Sequence, residues 1–452
     1  MALLGVPPCA NAVSSPQESS AAAAGAWAGV PQILARIRPP KFPPREFVIT
    51  RFGAKDDGVT DCTQAFADAI EACTAAGGGK VVVPPGTFLT GPIHLKSNVN
   101  LHAVKGATVK FFTDPAKYLP LVLTRFEGTE VMNYSPLIYA RGQENIAITG
   151  EGTFDGQADE SNWHGWKGSG ADIKTLVQMG EDGVPVSQRI FGPGHKLRPN
   201  FVQPSRCHNV LIEGVTFRNS PMWVLHPLYS VNVIVRGVTV VSRGPNTDGC
   251  DPESCTDVWI KDCSFSDGDD CIAIKAGRDA DGRRVNAPCQ NLVIQDCVFK
   301  DGHGGVTCGS ETAGGIANVF AENCQFDSPN LDMALRFKTG MTRGGYIKNV
   351  FIRNCTAKTA KVGIHLTMRY SGTTAGTATP ALNHIDIRDC TFEKLLKQPV
   401  VVEGFSDTVR ITDVTIANCV FQNAPGLSLV TNASRVFVNG GRGSGLAEVA
   451  AP

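Results

Sequence analysis

The 452-residue chain has no excess of charge of either sign, since Lys plus Arg and Asp plus Glu both total 42. That balance excludes the global basic field by which proteins hold nucleic acid. It also lacks any apolar run long enough to cross a bilayer as a helix, so a helical membrane protein is excluded. Aromatic residues are scarce, at 7%. Acidic residues are missing altogether between Met333 and Ile385, where Arg336, Lys338, Arg343, Lys348, Arg353, Lys358, Lys361 and Arg369 all occur. A local surplus of cations in a neutral protein suits an acidic ligand, although solvated surface cations give the same pattern.

Glycine (48), proline (28) and cysteine (15) are plentiful. An odd cysteine count, spaced by a repeat and not by a short scaffold, gives no disulfide framework and no redox compartment. Residues 1 to 45 combine a Ser/Ala-rich and a Pro-rich stretch and read as a mobile tail or processing remnant. Ala10-Asn11-Ala12 looks like a cleavage site, but the first basic residue is Arg36, so the basic start of a secretory signal is missing. Between Asp61 and Gly77, Phe66, Ile70 and Cys73 recur at helical spacing and predict the one convincing helix, placed to cap the open end of a stack.

Beyond it the chain repeats. Segments beginning at Asn209, Asn232, Asp257, Asn291, Asn318, Asn349, His384 and Asp413 follow one pattern, at intervals of 23 to 35 residues, as solenoid coils with variable loops do. Aligned, they put Val215, Val238, Cys263, Cys297, Cys324, Cys355, Cys390 and Cys419 at one position. Phe217, Val240, Phe265, Phe299, Phe326, Ala357, Phe392 and Phe421 follow two residues later. Residues two apart on a strand share a face, so both rows form internal ladders and six cysteines are core filler. Short strands without intervening helices predict an all-β fold, a single right-handed parallel β-helix (solenoid) with an N-terminal capping helix, over residues 46 to 445.

Polar breaks in a regular stack are where function is grafted. Asn246-Thr-Asp248-Gly and Gly268-Asp269-Asp270-Cys are about one coil apart, which places three carboxyls on neighbouring coils. Crowded carboxyls cannot all ionise freely, so one stays protonated beside ionised partners, the division of labour that glycosidic cleavage requires. One unit on, Asp301-Gly-His303-Gly-Gly puts a histidine between glycines, and the next unit gives Arg336-Phe-Lys338, two cations on one strand face. Two cations there suit a carboxylate-bearing sugar. Each motif alone also reads as a turn or a solvated strand; their order along consecutive coils places them in one groove.

These four motifs, in this order, resemble the signature of the polygalacturonase family, glycoside hydrolase family 28, with Phe337 where isoleucine is usual. The resemblance runs from about Phe47 to about residue 440. It implies an inverting acid/base hydrolysis of α-1,4-linked galacturonic acid without metal or cofactor. Asp269 would be the acid, Asp248 and Asp270 would position and deprotonate water, and His303 would tune the acid. Arg336 and Lys338 would hold the uronate, with Asn246 and Tyr370 (in Met368-Arg-Tyr-Ser-Gly) as further substrate contacts. Leu119 to Arg125, Ser220 to Pro227 and Gly277 to Arg284 look like the bacterial exo-acting branch. There the 156 to 200 segment would wall off one end of the groove, and Arg278, Arg283 and Arg284 would grip a terminal uronate. Polygalacturonate or oligogalacturonide is then the expected partner, and a secreted or periplasmic location is expected. An endo-acting or rhamnogalacturonan hydrolase, a calcium-dependent pectate lyase and a non-catalytic polysaccharide binder are the alternatives.

Overall fold

The computed structural model describes residues 23–168, 170–372 and 376–446. The chain winds as a right-handed parallel β-helix of three sheets. Thirteen strands, from Glu46–Val48 to Ala433–Asn439, make the first sheet, and thirteen from Asp57–Asp61 to Arg442–Gly443 make the second. Six, from Ile272–Ile274 to Leu429–Thr431, make the main part of the third. Its earlier coils continue through Ile93–His94, Ile138–Arg141 and Val202–Ser205, joined by single bridges at Leu225 and Cys250.

Each repeat encodes its own bends. The residue that opens a unit is left-handed, with φ of 59° at Asn209, 58° at Asn232, 60° at Asn291 and 56° at Asn318. Asn and Asp adopt that region at least cost after glycine. The asparagine side chains also pair from coil to coil, as Asn318 Nδ2 does with Asn291 Oδ1 and Asn349 Nδ2 with Asn318 Oδ1, both at 3.1 Å. The predicted inner rows are in register: Phe265 faces Phe299, Phe299 faces Phe326 and Phe392 faces Phe421. Their rings stack at centroid distances of 5.8, 4.9 and 4.7 Å, each pair contributing about 1 kcal/mol beyond burial. All the aligned cysteines are buried and unpaired, as are the eight other described cysteines.

The helix Thr63–Ala75 forms as predicted and buries Phe66, Ile70 and Cys73. It is not alone, because helices also span Val30–Arg36, Gly170–Glu181 and Asp279–Val285. The expected mobile tail needs correction. Residues 1–22 lie outside the described residues, but 23–45 are packed: Trp27, Val30, Ile33 and Ile37 are buried against Leu211, Ile234, Val293 and Phe320 on the outer face of the first sheet. Arg36 fastens the segment with two hydrogen bonds to Asp257, at 2.8 and 2.6 Å. Apolar residues on a sheet's outer face require a cover, and this segment supplies one.

Candidate active site

Backbone hydrogen bonds run from coil to coil through the polar breaks. Val224 N donates to Asp248 O at 2.8 Å, Gly249 N to Asp270 O at 2.9 Å, and Cys271 N to Gly304 O at 2.7 Å. Thr247, wholly buried, fixes the first turn by accepting from Gly244 N at 3.1 Å and Gly268 N at 3.2 Å. Glycine is required at Gly304, where a Cβ would lie 2.2 Å from Thr307 Oγ1 and 2.7 Å from Asp270 Oδ1. That glycine makes room for Asp270 to enter the sheet surface.

Asp248, Asp269 and Asp270 each bring a carboxylate oxygen within 4.8 Å of the others. Their surroundings differ sharply. Asp270 is fully buried and accepts from Lys338 Nζ at 2.6 Å and Arg336 Nη1 at 3.0 Å. Burial pushes its pKa up, but the two cations outweigh it and hold the carboxyl well below the usual range. Asp248, 3% exposed, is pushed up to about 8 by burial and by the neighbouring Asp269 charge. Lys275 lies 3.4 Å from Asp248 but is shared with Glu311 at 3.3 Å, so it does not offset this. Asp269 faces the groove, its side chain 18% exposed and 2.9 Å from His303 Nδ1. Burial raises its pKa, but the His303 hydrogen bond together with the Lys338 and His303 charges brings it below the usual value, and that bond in turn raises His303. Of the three, Asp248 is therefore the carboxyl that burial and its neighbours most favour in the protonated form. Behind it, Asp251 and Asp267 are buried, Asp251 with no hydrogen-bond partner and Asp267 with only the Cys271 thiol, and burial drives both well up, which keeps them neutral.

Every residue the motifs single out joins this site. Asn246 Nδ2 reaches Asp269 Oδ2 at 3.5 Å, while its Oδ1 accepts from Arg198 Nη2 at 2.8 Å and from Lys167. Tyr370 lies under the cations, its ring centroid 4.8 Å from Lys338 Nζ and 5.7 Å from the Arg336 guanidinium. Arg336 and Lys338 are both engaged with Asp270, two cations on one carboxylate, and Arg336 Nε has no hydrogen-bond partner. The three carboxylates could act as cation ligands, but Asp270, the most firmly ionised, is already neutralised by two side chains.

A cavity of about 210 Å³ opens over Asp248 and Asp269, lined also by Glu127, Trp223, Lys275, Arg278, Glu311, Lys338, Arg343 and Tyr370. Of the arginines expected to grip a terminal sugar, only Arg278 reaches it. Arg284 is turned away to Glu130 at 2.5 Å, and Arg283 donates to Thr342 O at 2.6 Å. The wall at this end is made by three segments. A hairpin, Val122–Phe126 with Thr129–Asn133, is the one antiparallel pair among the described strands. It packs with helices Gly170–Glu181 and Asp279–Val285, so the 156 to 200 stretch supplies only part of the wall. Asp281 ties them together, accepting from Arg189 Nη1 at 2.7 Å and from Glu130 N at 2.8 Å.

Glu127, Lys275 and Glu311 carry no motif, and Arg343 stands out in the sequence only as one of eight cations in the acid-free stretch. The other available signal is the Leu119 to Arg125 stretch, which leads into the hairpin tip.

A parallel β-helix with clustered carboxyls, set against cations in a walled groove, defines a carbohydrate-active enzyme. The chain belongs to the glycosyl hydrolases family 28, whose profile it matches over residues 73–418. A probable polygalacturonase of Vitis vinifera is 33% identical over 362 residues, 76% of this chain and 68% of its own length. The exo-poly-alpha-D-galacturonosidase of Dickeya chrysanthemi is 30% identical over 361 residues, 73% of this chain, which spans 58% of that longer protein. Among solved structures, the hyperthermoactive exopolygalacturonase of Thermotoga maritima is 42% identical and superposes with a TM-score of 0.87, covering 92% of this chain and 96% of its own.

Proposed function

We propose that the protein is an exo-acting polygalacturonase that releases galacturonic acid from the non-reducing end of pectic chains by inverting hydrolysis. Asp269 is the general acid, and Asp248 with Asp270 orient and deprotonate the attacking water. The observation that carries this reading is the unequal burial of three carboxyls whose oxygens lie within 4.8 Å. Such close spacing would by itself suit a retaining enzyme with a carboxylate nucleophile. Burial argues otherwise. Asp270 is pinned by Lys338 and Arg336 and Asp248 is covered, so neither can reach an anomeric carbon, whereas a water between them could hydrogen-bond both. Only Asp269 faces the groove, where it can protonate a leaving oxygen.

For catalysis the proton that burial favours on Asp248 must lie on Asp269. A uronate carboxylate docked in the groove raises the Asp269 pKa by like-charge repulsion and favours that shift. His303 sits beside Asp269 and tunes this exchange through their shared hydrogen bond. Arg336 and Lys338, two cations sharing one buried acid, attract the uronate together with Asn246 and Tyr370. The wall beside Arg278 supports exo action. A polymeric substrate outside the cell suits a secreted or periplasmic enzyme.

Chromatography of early products from polygalacturonate, with NMR of the new anomeric centre, tests the reading. Monomer from the first minutes, released as the β-anomer with slow viscosity loss, is expected. Mixed oligomers with rapid viscosity loss would overturn exo action, an α-product would overturn inversion, and a chelator-sensitive, UV-absorbing product would mean elimination. Asp269→Asn, nearly isosteric, should lower kcat at least a thousandfold with folding intact; substantial residual activity would refute its role.

A further inference from the structure

Around Glu127 the cavity is lined by paired charges. Arg278 pairs with Glu127 at 3.0 Å and Asp279 at 3.3 Å, Arg343 with Asp279 at 2.6 Å, and Lys275 with Glu311 at 3.3 Å and Asp248 at 3.4 Å. Three cations thus face Glu127, Asp279 and Glu311, so these carboxylates are charge-balanced; the other cations lining the cavity are Lys338, on Asp270, and Lys167, which donates to Asn246 Oδ1. The surplus of cations lies in the same cavity beside Asp270, which Arg336 and Lys338 share. What the walled end offers a sugar is carboxylate acceptors, and these need hydroxyl donors.

Glu127 is the acceptor set to meet the end of a chain. It occupies the tip of the hairpin with φ of 41°, followed by Gly128 at φ 81°. The tip is pressed onto the wall: a Cβ on Gly128 would lie 2.7 Å from both Cβ and backbone N of Arg278 and 2.8 Å from Glu311 Cγ. Gly128 O is held by Arg278 N and Arg125 Nε, each at 3.0 Å. The Glu127 side chain, 18% exposed, lines the same cavity as Asp248 and Asp269.

In an α-1,4-linked chain, every internal sugar has its O4 in a glycosidic bond, and only the non-reducing end has a free O4–H. An internal sugar has no proton to give at that position and carries a further anion beyond it. Resting on the exo reading above, we propose that Glu127 is a specificity-determining residue that reads the free terminal hydroxyl, with Arg278 holding its carboxylate in place. An oligomer whose terminal sugar has lost O4, as in the 4,5-unsaturated ends left by eliminative cleavage, gives Glu127 no donor and is a poor substrate. Sites built to hydrogen-bond a hydroxyl reject analogues lacking it by large factors.

The test compares saturated tri-galacturonate with its 4,5-unsaturated counterpart. The unaltered enzyme should favour the saturated trimer by at least about 100-fold in kcat/KM. Glu127→Ala should reduce that preference to below about tenfold, by losing activity on the saturated trimer alone, and Glu127→Gln, which keeps an acceptor oxygen, should fall between. Equal turnover of both trimers by the unaltered enzyme, or an unchanged preference in Glu127→Ala, overturns the proposal. If monomer is still the sole product from polygalacturonate in that case, exo action stands without Glu127; mixed products would sink both.

Discussion

Asp248 shows how an active site opposes the stability of its own fold. Its carboxyl keeps a proton in the folded chain up to about pH 8, but in the unfolded chain it ionises near 3.8. Between those values the folded state binds the extra proton, so stability falls as pH rises, by about 1 kcal/mol per pH unit. Asp248→Asn removes the titration. The variant should match the parent in melting temperature near pH 4, exceed it increasingly up to pH 8, and be inactive. Calorimetry across that range checks this, and parallel curves would contradict the burial account. Asp248 is legible in the sequence, as are Asp269, Asp270, His303, Arg336 and Lys338, because each breaks the repeat at an offset that the register then stacks. Glu127 and Arg343 are not, because they come from excursions whose path is set by packing and not by the period. The engagement of Arg336 and Lys338 with Asp270 also needs three dimensions, since the three are 66 and 68 residues apart.

At the scale of elements, the two departures from expectation share a cause. The segment 23–45 looks unstructured in composition, yet Trp27, Val30, Ile33 and Ile37 align as a helical stripe whose partner, the outer face of the first sheet, is spread over seven coils. The walling hairpin likewise has no repeat to mark it. Both are held by a few long-range contacts, and for the wall Asp281 is the critical one. Asp281→Ala leaves Arg189, 1% exposed, without its buried carboxylate, a loss of about 3 to 5 kcal/mol. Since each coil leans only on its neighbours, that loss should loosen the hairpin and leave the stack intact. Products from polygalacturonate should then spread from monomer to dimer and trimer, with far-UV circular dichroism unchanged; monomer alone would show that Asp281 does not hold the wall.

Taken whole, the molecule rests its chemistry directly on its core. A Cβ on Gly249, next to Asp248, would lie 2.5 Å from Phe265 Cδ1, and one on Gly305, two residues past His303, would lie 2.4 Å from Phe326 Cε1. The phenylalanine ladder is thus the floor on which the carboxyl-bearing turns stand. Phe392, on the same ladder and buried, stacks on Phe421 three coils beyond Phe299 and lies under Gly363, where a Cβ would be 3.1 Å from its Cδ1, and not under the carboxyl-bearing turns. Phe265→Ala and Phe392→Ala should each cost about 3 to 5 kcal/mol, because each empties a ring from a close-packed column. Their effects on turnover should differ. A floor lowered beneath Gly249 shifts Asp248 against Asp270, and misplacement near 1 Å costs about 100-fold in rate. Phe265→Ala should therefore lose about 100-fold in kcat at a temperature where it is still folded, while Phe392→Ala loses less than about twofold. Equal losses would mean that the ladder stabilises the stack without shaping the site. A selective loss in Phe265→Ala would make the regular interior, the part of the sequence easiest to read, the device that sets the spacing of the three carboxyls.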